Sequence, residues 1–169
     1  MKNYFVFKWN QLFCILCIGM LPWLSSCQKE KLSDDMDENT VSLSEIIENP
    51  TYINLPLIET KWKLVGFADD KKGEIKLAKP SEGNCYTLVF EEDGLMSGVT
   101  STNGATGRFT LKDKEISISS FGALTEINEL YDGNRYVEAM RKVYAFEMTK
   151  RGLALKFDQY FYLLFIPVE

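Results

Sequence analysis

The sequence predicts an α+β domain: a strongly curled antiparallel sheet, or an open barrel, of about eight strands with one helix packed against it. Three observations lead to this prediction. Apolar and polar residues alternate with a period of two along most of residues 58–169, which is typical of strands exposed on one face. Short turns rich in Gly, Asp and Lys join these runs, as in antiparallel hairpins. Residues 134–143 instead place their apolar residues at helical spacing.

The composition limits the function before any motif is considered. The 169 residues are 46% hydrophobic and 25% charged, which suits one folded domain with a tail. The chain contains no His, so catalysis by Ser-His-Asp or Cys-His groups and His-ligated zinc are excluded within it. The net charge of −5 has the wrong sign for a nucleic-acid partner.

Residues 1–26 are predicted to be a lipoprotein signal peptide. Lys2 and Lys8 form a short basic region, and the 13 residues 12–24 carry no charge. That run is too short to cross a hydrocarbon core of about 30 Å, but it suits a signal peptide. Leu24-Ser25-Ser26-Cys27 then resembles the bacterial lipobox, in which cleavage precedes a lipid-modified Cys. An ordinary secretory signal and an uncleaved membrane anchor are the alternatives.

The lipobox resemblance implies that Cys27 carries acyl chains and attaches the mature protein to a membrane. Gln28 follows it, which by resemblance to the sorting rule of enteric lipoproteins favours the outer membrane, at its periplasmic face or at the cell surface. Cys14 and Cys17 leave with the signal peptide, so their spacing is not a redox or metal motif. We expect the remaining thiol, Cys85, to be a small buried side chain without a catalytic role.

Residues 27–57 are predicted to be an acidic tether. Between residues 28 and 50, two lysines stand against seven carboxylates, a net charge of −5, and there is no aromatic residue. Such a composition is typical of a solvated linker. A short helix around residues 44–48, ended by Pro50, is the one element expected there. The acidic run at residues 34–38 is alternatively a surface-export signal.

The domain is predicted over residues 58–169. Turns at residues 92–94, 112–114, 150–152 and 158–159 separate its strands, and Gly94 can adopt a positive φ. The last run, residues 160–166, is apolar on both faces, which predicts a central strand covered on both sides. The alternating runs begin near Trp62, Leu88, Arg108, Ile116, Tyr144, Leu153 and Tyr160.

Residues 134–143 are predicted to form the helix. Asp132 or Asn134 is a candidate N-cap, and Arg141 and Lys142 suit the negative end of the helix dipole. The predicted order is therefore about five strands, this helix and three more strands.

The order and spacing of these segments resemble the META domain, also called the HslJ-like family of bacterial envelope lipoproteins, over roughly residues 60–167. The resemblance implies antiparallel strands curled around one helix, without an agreed catalytic activity. Thr102 stands where such domains usually carry a Cys, so the family's disulfide is not implied here. A small lipocalin-like barrel is the alternative, although lipocalins place their helix after the barrel. The matching segments are Lys61-Trp62-Lys63-Leu64, Leu88-Val89-Phe90, Asp93-Gly94, residues 97–103, Gly107-Arg108-Phe109-Thr110, Thr125, the helix and Leu153-Ala154-Leu155.

Two groups of residues are candidates for a ligand site. Ser101, Thr102 and Asn103 lie in a polar, Gly-rich stretch, which is either a ligand-contacting or anion-binding loop or a plain hairpin turn. Tyr160 and Tyr162 belong to an aromatic-rich end, which either lines a pocket for a lipid or glycan or packs in the core.

Two acidic clusters, at residues 69–70 and 91–93, have the side chains for Ca²⁺ binding or acid-base chemistry. Each lies beside lysines or a turn, so we expect solvated loops instead. We predict no metal, no cofactor and no enzymatic activity.

The leading hypothesis is therefore a lipid-anchored, non-catalytic envelope protein that binds a protein, a lipid or a small apolar ligand. One alternative is a structural or assembly role, such as a pilot or chaperone of envelope machinery that uses an exposed sheet edge. Others are a lipocalin-like carrier and a carboxylate-based hydrolase. A filled core with an exposed apolar patch favours a protein partner, whereas a large apolar cavity favours a ligand.

Overall fold

The computed structural model describes residues 39–124 and 127–169. The predicted signal peptide, Cys27, the tether up to residue 38 and Thr125 lie outside these ranges. The elements in chain order are β1 (Thr40–Ser42), the 3₁₀ turns Leu43–Glu45 and Pro50–Asn54, β2 (Lys61–Asp69), β3 (Glu74–Leu77), β4 (Thr87–Phe90), β5 (Leu95–Val99), β6 (Gly104–Lys112), β7 (Glu115–Ala123), α1 (Gly133–Met140), β8 (Ala145–Thr149), β9 (Gly152–Lys156) and β10 (Phe161–Pro167).

The strands form one sheet in the order β1-β3-β2-β10-β9-β8-β7-β6-β5-β4, and neighbouring strands are antiparallel. β2 also pairs with β4, where Trp62 lies opposite Leu88, so the eight strands from β2 round to β4 form a closed ring of neighbours. The junction of β7 and β8 consists of one residue pair, Glu115 with Ala145. The predicted fold class, a curled antiparallel sheet with one helix, is confirmed.

The main core lies inside the ring. α1 contributes Tyr136, whose ring meets Tyr86 and Phe121 edge to face, with centroids 5.3 and 5.7 Å apart. Burying one such aromatic side chain stabilises the fold by roughly 2–3 kcal/mol. The buried strand residues around them include Trp62, Leu64, Leu88, Phe90, Met96, Phe109, Ile116, Leu155, Leu163 and Phe165.

A second, smaller core covers the opposite face of the sheet. It contains Leu43, Ala68, Ile75 and Leu164. β10 lies between β2 and β9 and sends Leu163 to the main core but Leu164 to the second one. The prediction of a central strand covered on both sides is therefore confirmed.

Residues 40–57 belong to the folded part of the chain, which corrects the predicted tether boundary. β1 pairs with β3, and Leu43 and Leu57 are buried. The Ser42 side chain and Glu45 cap the first 3₁₀ turn reciprocally. Several apolar residues of this segment, among them Val41, Leu43, Leu55 and Leu57, pack in or against the two cores.

α1 ends at Met140, three residues earlier than predicted. Asp132 occupies its N-cap position, but its carboxylate accepts a hydrogen bond from the Lys79 N–H at 2.9 Å and does not cap the helix. The predicted turns are present, with φ of 79° at Gly94 and 130° at Gly152. Along the described ranges, no helix has the length and apolarity needed to cross a membrane.

Candidate functional site

The predicted loop of Ser101, Thr102 and Asn103 joins β5 to β6, and it binds a carboxylate of the chain itself. Thr100, Ser101 and Asn103 each donate a side-chain hydrogen bond of 2.6 Å to the Glu129 carboxylate. Thr100 and Asn103 are buried. We call Thr100, Ser101, Thr102, Asn103 and Glu129 the Glu129 network.

The network also holds the backbone of the segment that precedes α1. Asn103 Nδ2 donates to the Ile127 carbonyl at 2.8 Å, and the Leu130 N–H donates to the hydroxyls of Ser101 and Thr102 at 3.1 and 3.3 Å. The first residue of α1, Gly133, leaves no room for a side chain, because a Cβ there would overlap Ser101 Oγ and the Glu129 carboxylate. The loop and the start of α1 are therefore packed as one unit.

The electrostatics of the network favour an ionised Glu129. Burial opposes the charged form, but hydrogen bonds from Ser101, Thr100 and Asn103 outweigh it and hold the pKa of Glu129 below its usual value. The loop thus has the donors that bind an anion, and the anion is internal. The hairpin interpretation is confirmed, although no residue from Thr100 to Gly104 has a positive φ.

Tyr160 and Tyr162 line a separate depression of about 290 Å³ that opens to solvent. Tyr160 is exposed and has the Lys71 ammonium 5.8 Å from its ring centroid, whereas Tyr162 is half-buried against the second core. The depression shares no lining residue with the Glu129 network, so the structure does not bring the two predicted groups together. The other lining residues are Asp70, Glu147, Thr149, Arg151, Ala154, Lys156, Asp158, Gln159 and Phe161.

The wall of this depression is polar, and several of its charges are paired. Lys156 Nζ contacts the Glu147 carboxylate at 2.8 Å, and this hydrogen bond is the main reason why the pKa of Glu147 is lowered and that of Lys156 raised. Arg151 pairs with Glu48 at 3.2 Å. Such a polar wall does not favour a lipid, one of the two ligands that the aromatic residues predict.

The interior of the ring is occupied by aromatic side chains. Trp62, Tyr86, Phe90, Tyr136 and Phe165 are all completely buried, and burial raises the pKa of Tyr86 to about 12. A lipocalin-like carrier needs a cavity at this position, so the packing does not favour that alternative.

Sequence reasoning missed one edge of β7. The Ile116 N–H donates to the Tyr144 carbonyl at 3.1 Å, next to the single pair that joins β7 to β8. Among the residues that the structure describes, no further strand pairs with this side of β7 up to Ala123. Two depressions, of about 530 and 470 Å³, border the strand here. The residue types do not indicate this edge, because it is formed by backbone N–H and C=O groups.

Four large apolar side chains that follow β7 are exposed. Leu124, Ile127, Leu130 and Tyr131 expose 65, 61, 56 and 73% of their surface, and we call these four residues the apolar segment. These residues stand at i, i+3, i+6 and i+7, which is helical spacing, but residues 127–130 do not form a helix.

One carboxylate of each acidic cluster accepts a backbone hydrogen bond at a turn. Asp69 Oδ1 accepts from the Lys72 N–H at 3.1 Å, and Asp93 Oδ1 accepts from the Leu95 N–H at 3.0 Å.

Cys85 is half-exposed, which corrects the expectation that it is buried. Its thiol donates to the Ser101 carbonyl at 3.4 Å. The Lys63 ammonium donates to the backbone carbonyl of Cys85, and burial lowers the pKa of Lys63. The fold thus brings a cation beside this residue that its sequence neighbours do not supply.

Comparison with known proteins gives structural similarity only. No protein-family model matches the chain, and no curated protein matches it. The NMR structure of a protein from Burkholderia xenovorans is 22% identical, with a TM-score of 0.54 over 72% of this chain and 89% of that one. The crystal structure of a DUF4847 family protein from Bacteroides vulgatus is 14% identical, with a TM-score of 0.49 over 65% of this chain and 93% of that one. The similarity to the Burkholderia protein supports the fold and nothing beyond it.

Proposed function

We propose that this chain is a lipid-anchored protein of the outer membrane whose META-like domain is a non-catalytic module that binds a protein partner. The lipobox-like Leu24-Ser25-Ser26-Cys27 supports the anchor, because acyl chains on Cys27 would hold the mature protein on the membrane. The alternative role in assembling envelope machinery also requires binding of a protein partner.

The apolar segment is the observation that carries the protein partner. Exposed clusters of large apolar side chains mark contact surfaces for proteins or membranes. The Glu129 network holds this segment at the Ile127 carbonyl and the Leu130 N–H. A surface that is already ordered loses less conformational entropy on binding, which favours docking to a partner.

The anchor is tested by Cys27→Ser in the full chain, followed by separation of membrane and soluble fractions. We expect the variant to leave the membrane fraction, because the acylated thiol is lost. Cys85→Ser is the matched control and stays with the membrane. A Cys27→Ser protein that remains in the membrane fraction at the wild-type level contradicts the anchor.

The partner is tested by a photo-crosslinking amino acid placed in the full chain in cells, at Ile127 and at Tyr131. We expect both positions to give the same discrete protein adduct. Ile53, which is 45% exposed in another part of the domain, is the control and gives none.

The other outcomes separate the alternatives. Crosslinks to lipid at Ile127 and Tyr131 show that the apolar segment contacts the membrane, and equal protein crosslinking at Ile53 shows that contact is non-specific. Either result overturns the protein partner. With the photo-crosslinking amino acid placed at Leu130, which is also exposed, Ile127→Ser together with Tyr131→Ser should remove the protein adduct without lowering the melting temperature, because both side chains are exposed.

A further inference from the structure

On the side of β7 that faces away from β6, alternate residues direct their backbone N–H and C=O groups outward, as in a strand that pairs on both sides. Alternate residues of an antiparallel strand direct their N–H and C=O to the same side. Since the Ile116 N–H donates towards β8, the backbone groups of Ile118 point to that side too. The pairing of β7 with β6 shifts by one residue after Ile118, and Phe121 then takes that direction, because its carbonyl accepts from Arg141 Nε at 2.8 Å.

This edge lacks most of the features by which proteins protect exposed strands. Such edges are usually short, or carry Lys or Pro. The eight residues 116–123 read Ile-Ser-Ile-Ser-Ser-Phe-Gly-Ala, with no charge and no Pro. β1, at the other side of the sheet, is only three residues long. β7 has two protective features, the register shift at Ser119 and the Arg141 side chain on the Phe121 carbonyl. Among the described residues, no strand pairs with this side of Ile118 or Phe121, so their amides remain able to pair.

The surface beside this edge has room for another strand. The depression of about 530 Å³ lies between residues Ile118 to Ala123 of β7 and the Arg141 side chain. The depression of about 470 Å³ continues along Glu115 to Ser117 and faces Val143 and Tyr144. Together they follow β7 along its length, where an added strand would lie.

The charged residues that line these two depressions have a net charge of +1, although the whole chain carries −5. They are the cations Lys112 and Arg141 and the anion Glu115, and all three are exposed. This balance favours a strand that carries carboxylates.

We propose that the edge of β7 from Ile118 to Ala123 binds an extended, acidic segment of a partner protein, which pairs with it as an additional strand. The inference rests on the proposed function in that the same partner would contact the apolar segment, which follows β7 directly. The backbone of β7 supplies the affinity, and the surrounding cations select an acidic strand.

The test measures binding of three synthetic decapeptides to the full mature chain in detergent. The first alternates Thr and Glu, the second is the same peptide with every amide N-methylated, and the third alternates Thr and Lys. We expect the first to bind, and both others to bind at least about tenfold more weakly. The amides of Ile118 and Phe121 gain protection from hydrogen exchange with the first peptide only.

A matched pair of variants tests the place of binding. Ser119→Asp adds a carboxylate at the edge and is expected to weaken binding of the Thr-Glu peptide at least about threefold. Ser81→Asp makes the same charge change in an exposed loop remote from β7 and leaves binding unchanged.

Each opposite result overturns the inference. No binding of the Thr-Glu peptide at about 1 mM, equal binding of the N-methylated peptide, or protection that misses Ile118 and Phe121 excludes strand pairing. Equal binding of the Thr-Lys peptide excludes an acidic partner. If crosslinks form at Ile127 while these peptide results fail, the proposed function stands and the edge is not the binding element. If the peptide protects Ile118 but nothing crosslinks at Ile127, the edge of β7 is a binding element and the proposed contact through the apolar segment fails.

Discussion

The Glu129 network and the edge of β7 both adjoin the apolar segment, but they differ in whether their hydrogen-bonding groups have partners. In the network, donors from Thr100, Ser101 and Asn103 converge on one carboxylate. On β7, the backbone of Ile118 points to a side where no described strand pairs with it. Polar side chains drew attention in the sequence, but side chains that fold inward usually satisfy one another. Unused bonding capacity lies instead on a backbone edge, which residue types do not reveal.

The largest expected effect is a loss of stability when the Glu129 network is disrupted. Glu129→Ala should lower the free energy of unfolding by about 3 kcal/mol, because the buried donors of Thr100 and Asn103 lose their acceptor. Urea unfolding measures it. Glu138→Ala, on the exposed face of α1, should cost less than about 0.5 kcal/mol. Equal small losses for both variants would show that the network does not stabilise the fold.

Gly133→Ala should lower the free energy of unfolding by about 2 kcal/mol, although Ala normally stabilises a helix relative to Gly. The added Cβ would displace Ser101 Oγ or the Glu129 carboxylate. The control is Gly104→Ala, whose Cβ would have its nearest neighbour at 3.4 Å and which should change stability little. A stabilised Gly133→Ala protein would mean that the network and α1 are not packed as one unit.

A third pair of variants compares two tyrosine hydroxyls inside the ring of strands, one of which donates a hydrogen bond and one of which does not. The Tyr136 hydroxyl is buried and has no hydrogen-bond partner among the residues that the structure describes, whereas the Tyr86 hydroxyl donates to the Lys79 carbonyl. Tyr136→Phe should therefore raise the free energy of unfolding by about 1 kcal/mol, and Tyr86→Phe should lower it by a similar amount. Thermal unfolding measures both. Loss of stability in both variants would indicate that a buried water bonds Tyr136.

Acid should weaken the network. The folded-state pKa of Glu129 is lowered, so its contribution is fully present above the usual value of 4.5 and is lost as the pH falls through the lowered pKa. Stability measured across this range should therefore fall less steeply in Glu129→Gln than in the wild type. Parallel curves for the two proteins would contradict an ionised, hydrogen-bonded Glu129.

The smallest effect concerns the β7 edge and involves no change in stability. The amide of Ile116 is bonded to the Tyr144 carbonyl, whereas no strand of the described ranges pairs with the amide of Ile118 on the same side. Hydrogen exchange in the free protein should be slower at Ile116 than at Ile118. Similar protection of the two amides would mean that the edge is already covered.

The sequence predicts much of the fold and little of the candidate surface. Trp62, Leu88 and Leu153 begin runs that alternate clearly, and their strands are present. β1 and β3 are not predicted, because they are only three and four residues long. Ser101, Thr102 and Asn103 were recognised as a polar loop. Their partner Glu129 lies 26 residues beyond Asn103, and no local pattern connects the two.

By itself, the sequence determined the α+β class, the turns and the two-sided strand β10, because alternation and turn residues act through local backbone geometry. The lipobox-like motif likewise predicts the anchor at Cys27 from neighbouring residues alone. Only the tertiary structure decided which polar groups have hydrogen-bond partners. Glu129 reaches its donors because the segment before α1 returns to the β5–β6 loop. Among the described strands, β7 keeps an unpaired edge because β8 meets it at a single residue pair. Both outcomes depend on contacts between residues far apart in the chain, which no local pattern encodes.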